Sequence, residues 1–194
     1  MKKILILFLF VTYSLNCFAI TKAFEFNLKG SDGKKYSLSQ LRGKVVVLEW
    51  YNEGCPFVRK FYDVEHMQDL QKEAKDNVVW LTVASSAKGK QGHIATVSDA
   101  KKLHTKEKMH SQAILLDHSG VVGSAYNAKT TPHMFIINKK GNIVYDGAID
   151  SLPSTNSSDI KTAKPYFRTA LTSTLKDDKF GPIKNKSYGC SVKY

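Results

Sequence analysis

Residues 45–60 read VVVLEWYNEGCPFVRK, and this stretch decides the fold of the chain. Its apolar start predicts a buried strand, and Gly54 predicts the turn that ends the strand. A cysteine followed by a proline then opens a segment with helical spacing, which predicts that Cys55 lies at the first turn of a helix. Pro56 suits this place because its φ angle is preset for the first helical position, where a missing N–H costs no hydrogen bond.

This setting predicts that Cys55 is a reactive thiol. The unpaired N–H groups and the positive dipole end at the start of a helix favour a thiolate, so they lower the pKa of a cysteine there. Arg59 lies four residues later on the same helical face and is expected to add a cation beside the sulfur. The alternative is that Cys55 is an inert residue of the apolar core, as free cysteines often are.

On both sides of this stretch, the hydrophobic patterns predict strands and helices that alternate along the chain. Because a helix joins the two central strands, we expect them to be parallel, in a sheet covered on both faces. The polar loop 85–93 is expected to border the site. Strands are predicted at 24–28, 35–38, 45–51, 78–84, 112–117, 133–138 and 142–147, the first two as a hairpin; helices at Pro56–Lys75, Ser98–Lys108 and Ile160–Leu175; and a short helical turn at 119–126.

The length of 194 residues predicts one domain, at 20–176, between a leader and a tail. Residues 1–19 combine a basic start, an apolar run and a small residue at the end, so we expect a cleaved secretory signal and a periplasmic or secreted protein. The apolar run is too short to span a bilayer, so no stable membrane insertion is expected. Acylation of Cys17 is the alternative. Residues 177–194 are expected to form an exposed tail that carries Cys190.

The chain is strongly basic, with a formal charge of +12 that falls to +10 without Lys2 and Lys3. Its lysines are scattered, and they form no basic stripe interleaved with aromatic residues. We therefore expect a solvated surface near anionic envelope components rather than a nucleic-acid partner.

Three local motifs resemble those of one family. Cys55-Pro56 opens the helix after the central strand, Thr130-Thr131-Pro132 precedes a hairpin, and Gly147 closes that hairpin. Together they resemble the thioredoxin fold, and specifically the redoxin branch that includes alkyl hydroperoxide reductases and thiol-specific antioxidant proteins. The resemblance covers about residues 24–175. It implies a three-layer α/β sandwich with an N-terminal hairpin, and a thiol-based oxidoreductase that needs no cofactor.

The resemblance also implies roles for individual residues. In such proteins the proline before the hairpin is cis and faces the reactive cysteine, so Pro132 and the backbone of Thr131 are expected to bind an extended substrate. Glu49 lies six residues before Cys55, where thioredoxins carry a buried acid that accepts a proton. The alternative for Glu49 is a place at the sheet edge, paired with a lysine.

The chain also departs from the family patterns. Val58 stands where the second cysteine of a Cys-x-x-Cys motif would lie, which excludes a disulfide within the motif. Leu48 and Asn52 stand where peroxiredoxins have a proline and a hydroxyl residue. Asn52 can still donate a hydrogen bond to a substrate, but the broken pattern puts fast peroxidase activity in doubt.

Cys190 is the second cysteine that remains after removal of the signal, so it is expected to resolve the product formed on Cys55. That product would be a sulfenic acid from a hydroperoxide or a mixed disulfide from a protein disulfide, and an unidentified thiol reductant would complete the cycle. The alternative is a permanent disulfide between Cys55 and Cys190 that pins the tail.

A function without catalysis is the rival to an oxidoreductase. Cys55, His133 and Met134 form a soft ligand set that could carry copper, and the edge beside Pro132 could hold a peptide. The six histidines show no tight spacing with cysteine, so the sequence predicts no metal centre.

Overall fold

The computed structural model describes residues 21–74, 76–176 and 179–194. The predicted signal at 1–19, with Cys17, lies outside these residues. Within the described ranges, no helix has the length and apolar character needed to cross a bilayer.

The described residues form eleven strands and five α-helices. The strands are β1 Thr21–Lys22, β2 Asn27–Gly30, β3 Lys35–Ser37, β4 Val45–Trp50, β5 Val78–Ala84, β6 Ala113–Leu116, β7 Thr130–Thr131, β8 His133–Ile137, β9 Asn142–Gly147, β10 Ile183–Lys184 and β11 Cys190–Ser191. The helices are α1 Pro56–Tyr62, α2 His66–Ala74, α3 Val97–Lys106, α4 Val121–Ala125 and α5 Tyr166–Lys176, with short 3-10 helices at Ser39–Leu41 and Ser157–Lys161.

The main sheet has the strand order β1-β9-β8-β4-β5-β6-β2-β3, and β10 adds to β9. At its centre, β4 runs parallel to β5 and antiparallel to β8. This confirms the parallel pairing expected from the helical connection between the two central strands.

Alternate residues of β4 face two separate apolar layers. Val45 and Val47 pack with residues of α1, α2, α3 and α5, including the buried Phe61. Val46 and Leu48 point the other way, into a cluster that contains Val122 of α4. The predicted three-layer α/β sandwich is therefore confirmed, with β4 buried on both faces.

The prediction of one helix from Pro56 to Lys75 was wrong. The chain leaves the helix after Tyr62 and restarts at His66, and between them Glu65 adopts a positive φ of 58°. At the break, the backbone oxygen of Tyr62 accepts both the N–H of Glu65 and the side-chain amide of Gln68, each at 3.1 Å. Both helices bury residues in the same apolar cluster, so hydrophobic spacing alone does not reveal the break.

Three further boundaries differ from the prediction. The cap of α3 is Thr96 instead of Ser98, because its hydroxyl accepts the backbone N–H of Asp99. The last helix begins at Tyr166, directly after Pro165, and not at Ile160. The first hairpin forms between β2 and β3, so the predicted strand at 24–28 is displaced towards Gly30.

The tail was predicted to be exposed, and the described part of it is instead docked on the domain. One segment, β10, pairs parallel with β9, and a second, β11, pairs antiparallel with β7. The second pairing brings the end of the chain to the turn that carries Cys55.

Candidate active site

The turn between β4 and α1 is built by Asn52. Its backbone oxygen accepts the N–H of Cys55 at 3.1 Å, and its side-chain oxygen accepts the N–H of Gly54 at 3.0 Å. Its amide nitrogen donates to the backbone oxygen of Gln91 at 3.3 Å, which confirms that the loop 85–93 borders this turn. Asn52, predicted to bind substrate, therefore uses its side chain to hold the turn.

Cys55 is the N-cap residue of α1, followed by Pro56 at the first helical position, as the sequence predicts. The thiol is completely buried, and it lies within hydrogen-bonding distance of the backbone oxygen of Thr131, at 2.9 Å. The peptide bond from Thr131 to Pro132 is cis, which confirms that prediction. The cis-proline segment and the cysteine thus face each other.

The second thiol, Cys190, reaches the same place from the tail. Cys190 pairs with Thr131 across the β7–β11 ladder, and the N–H of Val192 donates to the backbone oxygen of Lys129 at 3.1 Å. Cys190 is half-buried against the core that includes Cys55, and both thiols are free. Thr131 is therefore the common neighbour of two cysteines that are 135 positions apart in the sequence.

The pKa values of the two thiols are shifted in opposite directions. Burial raises the pKa of Cys55, but hydrogen bonds from Cys190, Thr131 and the backbone N–H of Val58 outweigh burial and bring that pKa below its usual value. Burial, the hydrogen bond to Cys55 and the charge of that sulfur raise the pKa of Cys190 to about 11. Cys55 therefore has the lower pKa of the two thiols and loses its proton before Cys190 does.

Glu49 lies inside the core, as the family resemblance implies, so the alternative of a sheet-edge position paired with a lysine is wrong. Its carboxyl accepts hydrogen bonds from Tyr62 at 2.6 Å, from Gln71 at 3.0 Å and from the indole N–H of Trp80 at 2.8 Å. Burial raises the pKa of Glu49, although these three donors act in the opposite direction. These hydrogen bonds link the carboxyl to α1, α2 and β5, and none of them involves a thiol.

Arg59 was predicted to place its cation beside Cys55. Its guanidinium instead donates to both carboxylate oxygens of Glu107, at 2.8 and 3.1 Å, and also to Asp63 and Tyr51. The guanidinium of Arg59 is thus paired with the buried carboxylate of Glu107 and not, as the sequence had suggested, with the sulfur of Cys55.

Sequence reasoning missed a group of residues that fastens the tail next to Cys190. The buried ammonium of Lys60 donates to Asp150 and to the backbone oxygen of Leu152, both at 2.8 Å, and to the hydroxyl of Tyr188 at 3.2 Å. Tyr188 donates in turn to the other oxygen of Asp150, and its ring packs edge-on against Phe57. The available signal was the run Tyr188-Gly189-Cys190 in an otherwise polar tail.

Comparisons with known proteins show the family of this chain. A family model described as Redoxin matches residues 19–164. The chain belongs to the Redoxin family. The redoxin is 30% identical over 118 residues to the thioredoxin-like protein YneN of Bacillus subtilis. This match covers 60% of the redoxin and 64% of that relative, so the redoxin spans less than two thirds of the relative's length.

Two solved structures resemble the redoxin in fold. A hypothetical protein, SMc02350 of Sinorhizobium meliloti, matches with a TM-score of 0.70 at 20% identity, over 92% of this chain and 96% of that one. The pneumococcal exposed lipoprotein thioredoxin Etrx1 of Streptococcus pneumoniae matches with a TM-score of 0.56 at 27% identity, over 79% of this chain and 98% of that one. The redoxin is therefore a thioredoxin-like redox protein.

The copper alternative finds no support in the geometry of this redoxin. The Nδ1 atom of His133 accepts the N–H of Lys129 at 3.2 Å, and its Nε2 atom lies 2.8 Å from the carboxylate of Asp146. Both ring nitrogens are therefore occupied. His133 and Met134 are successive residues of β8, so their side chains point to opposite faces of the sheet and cannot both face Cys55.

Proposed function

We propose that this redoxin is an exported thiol-disulfide oxidoreductase in which Cys55 is the nucleophile and Cys190 resolves the intermediate. The observation that carries the proposal is the pairing of Cys190 with Thr131, directly beside Cys55. A lower pKa on Cys55 than on Cys190 suits a first attack by Cys55 and a later resolution by Cys190.

The chemistry is two successive exchange steps. The thiolate of Cys55 attacks one sulfur of a substrate disulfide, which forms a mixed disulfide and releases the first substrate thiolate. Cys190 then loses its proton and attacks the sulfur of Cys55, which forms the Cys55–Cys190 disulfide and releases the second substrate thiol. Two electrons pass to the substrate, and a thiol reductant returns the pair to the reduced state.

A protein disulfide suits this site better than a hydroperoxide. Asn52 stands at the position where peroxiredoxins hold the peroxide with a hydroxyl, and its amide already binds Gln91 and Gly54. The backbone of Thr131, beside the cis bond to Pro132, offers strand pairing to an extended polypeptide. Hydroperoxide reduction with antioxidant activity is accordingly not the reaction that we propose.

Glu49 enters the proposal as a positioning residue. Its raised pKa and its hydrogen bond to Tyr62 of α1 make it a buried acid close to the helix that Cys55 caps. We propose that its charge state influences the proton of Cys55 through this helix.

Export is supported by the leader-like residues 1–19 and by the likeness to an exposed lipoprotein thioredoxin. Cell fractionation with intact-mass analysis tests it. We expect an extracytoplasmic chain that begins at Ile20, whereas a full-length cytoplasmic chain would contradict export and a lipid adduct on Cys17 would replace cleavage after Ala19.

The thiol chemistry is tested with the chromogenic disulfide DTNB, in a full chain that carries Cys17→Ser. The parent should release about two TNB per chain and retain no adduct, because Cys190 displaces the first product. Cys190→Ser should release about one TNB and keep the other as a mixed disulfide on Cys55. A Cys55→Ser chain that reacts as fast as the parent, or a parent that keeps an adduct on each thiol, would contradict the proposal.

A further inference from the structure

The end of the tail lies in a groove that crosses the active site. Residues 188–194 run from α1, past β7, to the start of α4, and Cys190 lies between two tyrosines of this segment. Backbone hydrogen bonds to Lys129 and Ala87 hold the segment extended. The groove therefore binds one extended, cysteine-containing polypeptide, and that polypeptide belongs to the chain itself.

The position two residues before the cysteine is bound by a buried, charged socket. The hydroxyl of Tyr188 donates to Asp150 and accepts from Lys60, and the ammonium of Lys60 lies 5.5 Å from the centre of the tyrosine ring. Phe57 packs edge-on against the same ring, with 5.9 Å between centroids. The socket thus contacts both the ring and the hydroxyl of an aromatic residue.

The position directly before the cysteine accepts only glycine. Gly189 has a φ of 140°, which is costly for residues with a side chain. A Cβ atom there would collide with the backbone oxygen of Thr131, the same oxygen that faces the thiol of Cys55. Any larger residue would therefore force the strand away from β7.

The far end of the segment is bound by Tyr194. Its hydroxyl donates to the backbone oxygen of Ala128 at 2.8 Å, and its ring packs closely against Gly120 and Gly123. The backbone oxygen of Lys193 accepts the N–H of Ala87 at 2.7 Å. The groove is thus anchored at both ends, and the cysteine between them is aligned with the nucleophile.

We propose that this groove is the recognition site for substrate proteins, and that the tail occupies it as an internal substitute for a substrate. The groove would select an extended segment in which a hydroxylated aromatic residue and a glycine precede the reacting cysteine, as in Tyr188-Gly189-Cys190. This inference rests on the proposed function and adds the substrate class. Because Cys55 is completely buried beneath the tail, a substrate must displace the tail to reach it.

The test uses the peptide Tyr-Gly-Cys-Ser-Val-Lys-Tyr, with the sequence of residues 188–194, as a mixed disulfide with TNB. The full chain carries Cys17→Ser and Cys190→Ser so that the reaction stops on Cys55, with and without Tyr188→Ala to loosen its own tail. Matched peptides replace the first tyrosine by phenylalanine or alanine, or the glycine by alanine. Glutathione–TNB is the small control substrate.

We expect the loosened chain to release TNB from the parent peptide about tenfold faster than from the alanine-for-tyrosine peptide, the effect of about one hydrogen bond to a charged group. The phenylalanine peptide should be intermediate, and the alanine-for-glycine peptide slow. The chain with its own Tyr188 should be slower with every peptide, because its tail competes for the groove.

Equal rates for all four peptides would overturn the inference. If glutathione–TNB reacts in that case, only the recognition by the groove fails; if it does not react either, the proposed function fails as well. As a second check, Cys190→Ser chains that carry TNB on Cys55 are mixed with Cys55→Ser chains, whose Cys190 can displace the TNB. Rapid TNB release with formation of disulfide-linked dimers would assign the groove to the tail of a second copy and would also overturn the inference.

Discussion

The turn that carries Cys55 and the tail that carries Cys190 hold their thiols in different ways. Cys55 follows β4, whose six residues are all buried at the centre of the sheet, and it is completely buried itself. Cys190 lies on a strand of two residues, and side chains such as Tyr188 anchor the tail around it. The fold therefore fixes the nucleophile, whereas a few local contacts position the resolving thiol and can open without global unfolding.

The largest expected effect is a loss of stability when the Cys55 side is damaged. Phe61 lies on α1 with no exposed surface, so Phe61→Ala should lower the free energy of unfolding by about 3–5 kcal/mol, as measured by urea denaturation. Phe24, which is 48% exposed, provides the matched control, and Phe24→Ala should change this free energy by no more than about 0.5 kcal/mol.

The same measurement on the tail tests the contrast between the two regions. Tyr188→Ala removes a ring of similar size and should cost clearly less than Phe61→Ala, because the tail can detach separately. If both substitutions lower the free energy of unfolding by the same amount, tail and domain unfold as one cooperative unit, which would contradict separate opening of the tail.

A second, smaller effect is the pH dependence of stability that comes from Glu49, on the strand that leads to Cys55. Burial raises the pKa of Glu49 in the folded state, so its contribution to stability is fully present below the unfolded pKa of about 4.3 and is lost as pH rises through the folded pKa. Glu49→Gln removes this dependence. We expect the free energy of unfolding of the parent to fall relative to the variant as pH rises, by at most about 1.4 kcal/mol per pH unit.

The role proposed for Glu49 needs a readout beyond stability. The pH profile of Cys55 alkylation by iodoacetamide should shift in Glu49→Gln if the carboxyl influences the proton of the thiol. An unchanged alkylation profile would limit Glu49 to a structural role, and a stability difference that is constant with pH would contradict its raised pKa.

A third prediction perturbs only the tail. Gly189→Ala should slow formation of the Cys55–Cys190 disulfide by at least about tenfold, because the added Cβ collides with the backbone oxygen of Thr131. Gly33→Ala is the control, since Gly33 also has a positive φ but no atom lies within 4 Å of the added Cβ. This variant should form the Cys55–Cys190 disulfide at the rate of the parent. Stopped-flow measurement of TNB release from DTNB separates the attack by Cys55, which releases the first TNB, from the resolution by Cys190, which releases the second. Equal resolution rates in Gly189→Ala and the parent would show that β11 need not dock.

The smallest expected effect is on the reactivity of Cys55 itself. Cys190→Ala removes a hydrogen bond that lowers the pKa of Cys55, so the midpoint of its alkylation profile should move to higher pH. Cys190→Ser retains a hydroxyl donor and should stay closer to the parent. A profile that is the same in all three chains would mean that Cys190 does not hold the thiolate.

The sequence predicts the part of the site that local patterns encode. The apolar run, Gly54 and Pro56 determine a strand, a turn and a helix start within a dozen residues, and the structure places Cys55 there as expected. The cis bond before Pro132 followed from the family resemblance. Short-range preferences of this kind need no knowledge of distant partners.

The remaining features depend on contacts between distant residues. Arg59 meets Glu107, which is 48 residues away, and Lys60 meets Asp150, which is 90 residues away, so neither pairing has a signature in local spacing. Glycine, proline and lysine residues in the tail predict that it is exposed, yet Tyr188 and Tyr194 dock it on the domain. Tertiary contacts of a few side chains thus outweigh the local composition of the tail.

A disulfide map of the full Cys17→Ser chain, equilibrated with reduced and oxidised glutathione at several ratios, tests the central claim most directly. Acid quenching, digestion without reduction and mass spectrometry would identify the partners of each sulfur. We predict a reversible disulfide between Cys55 and Cys190 within one chain, with little glutathione bound to either thiol. Two thiols that stay free, or that each carry glutathione at every ratio, would contradict the account.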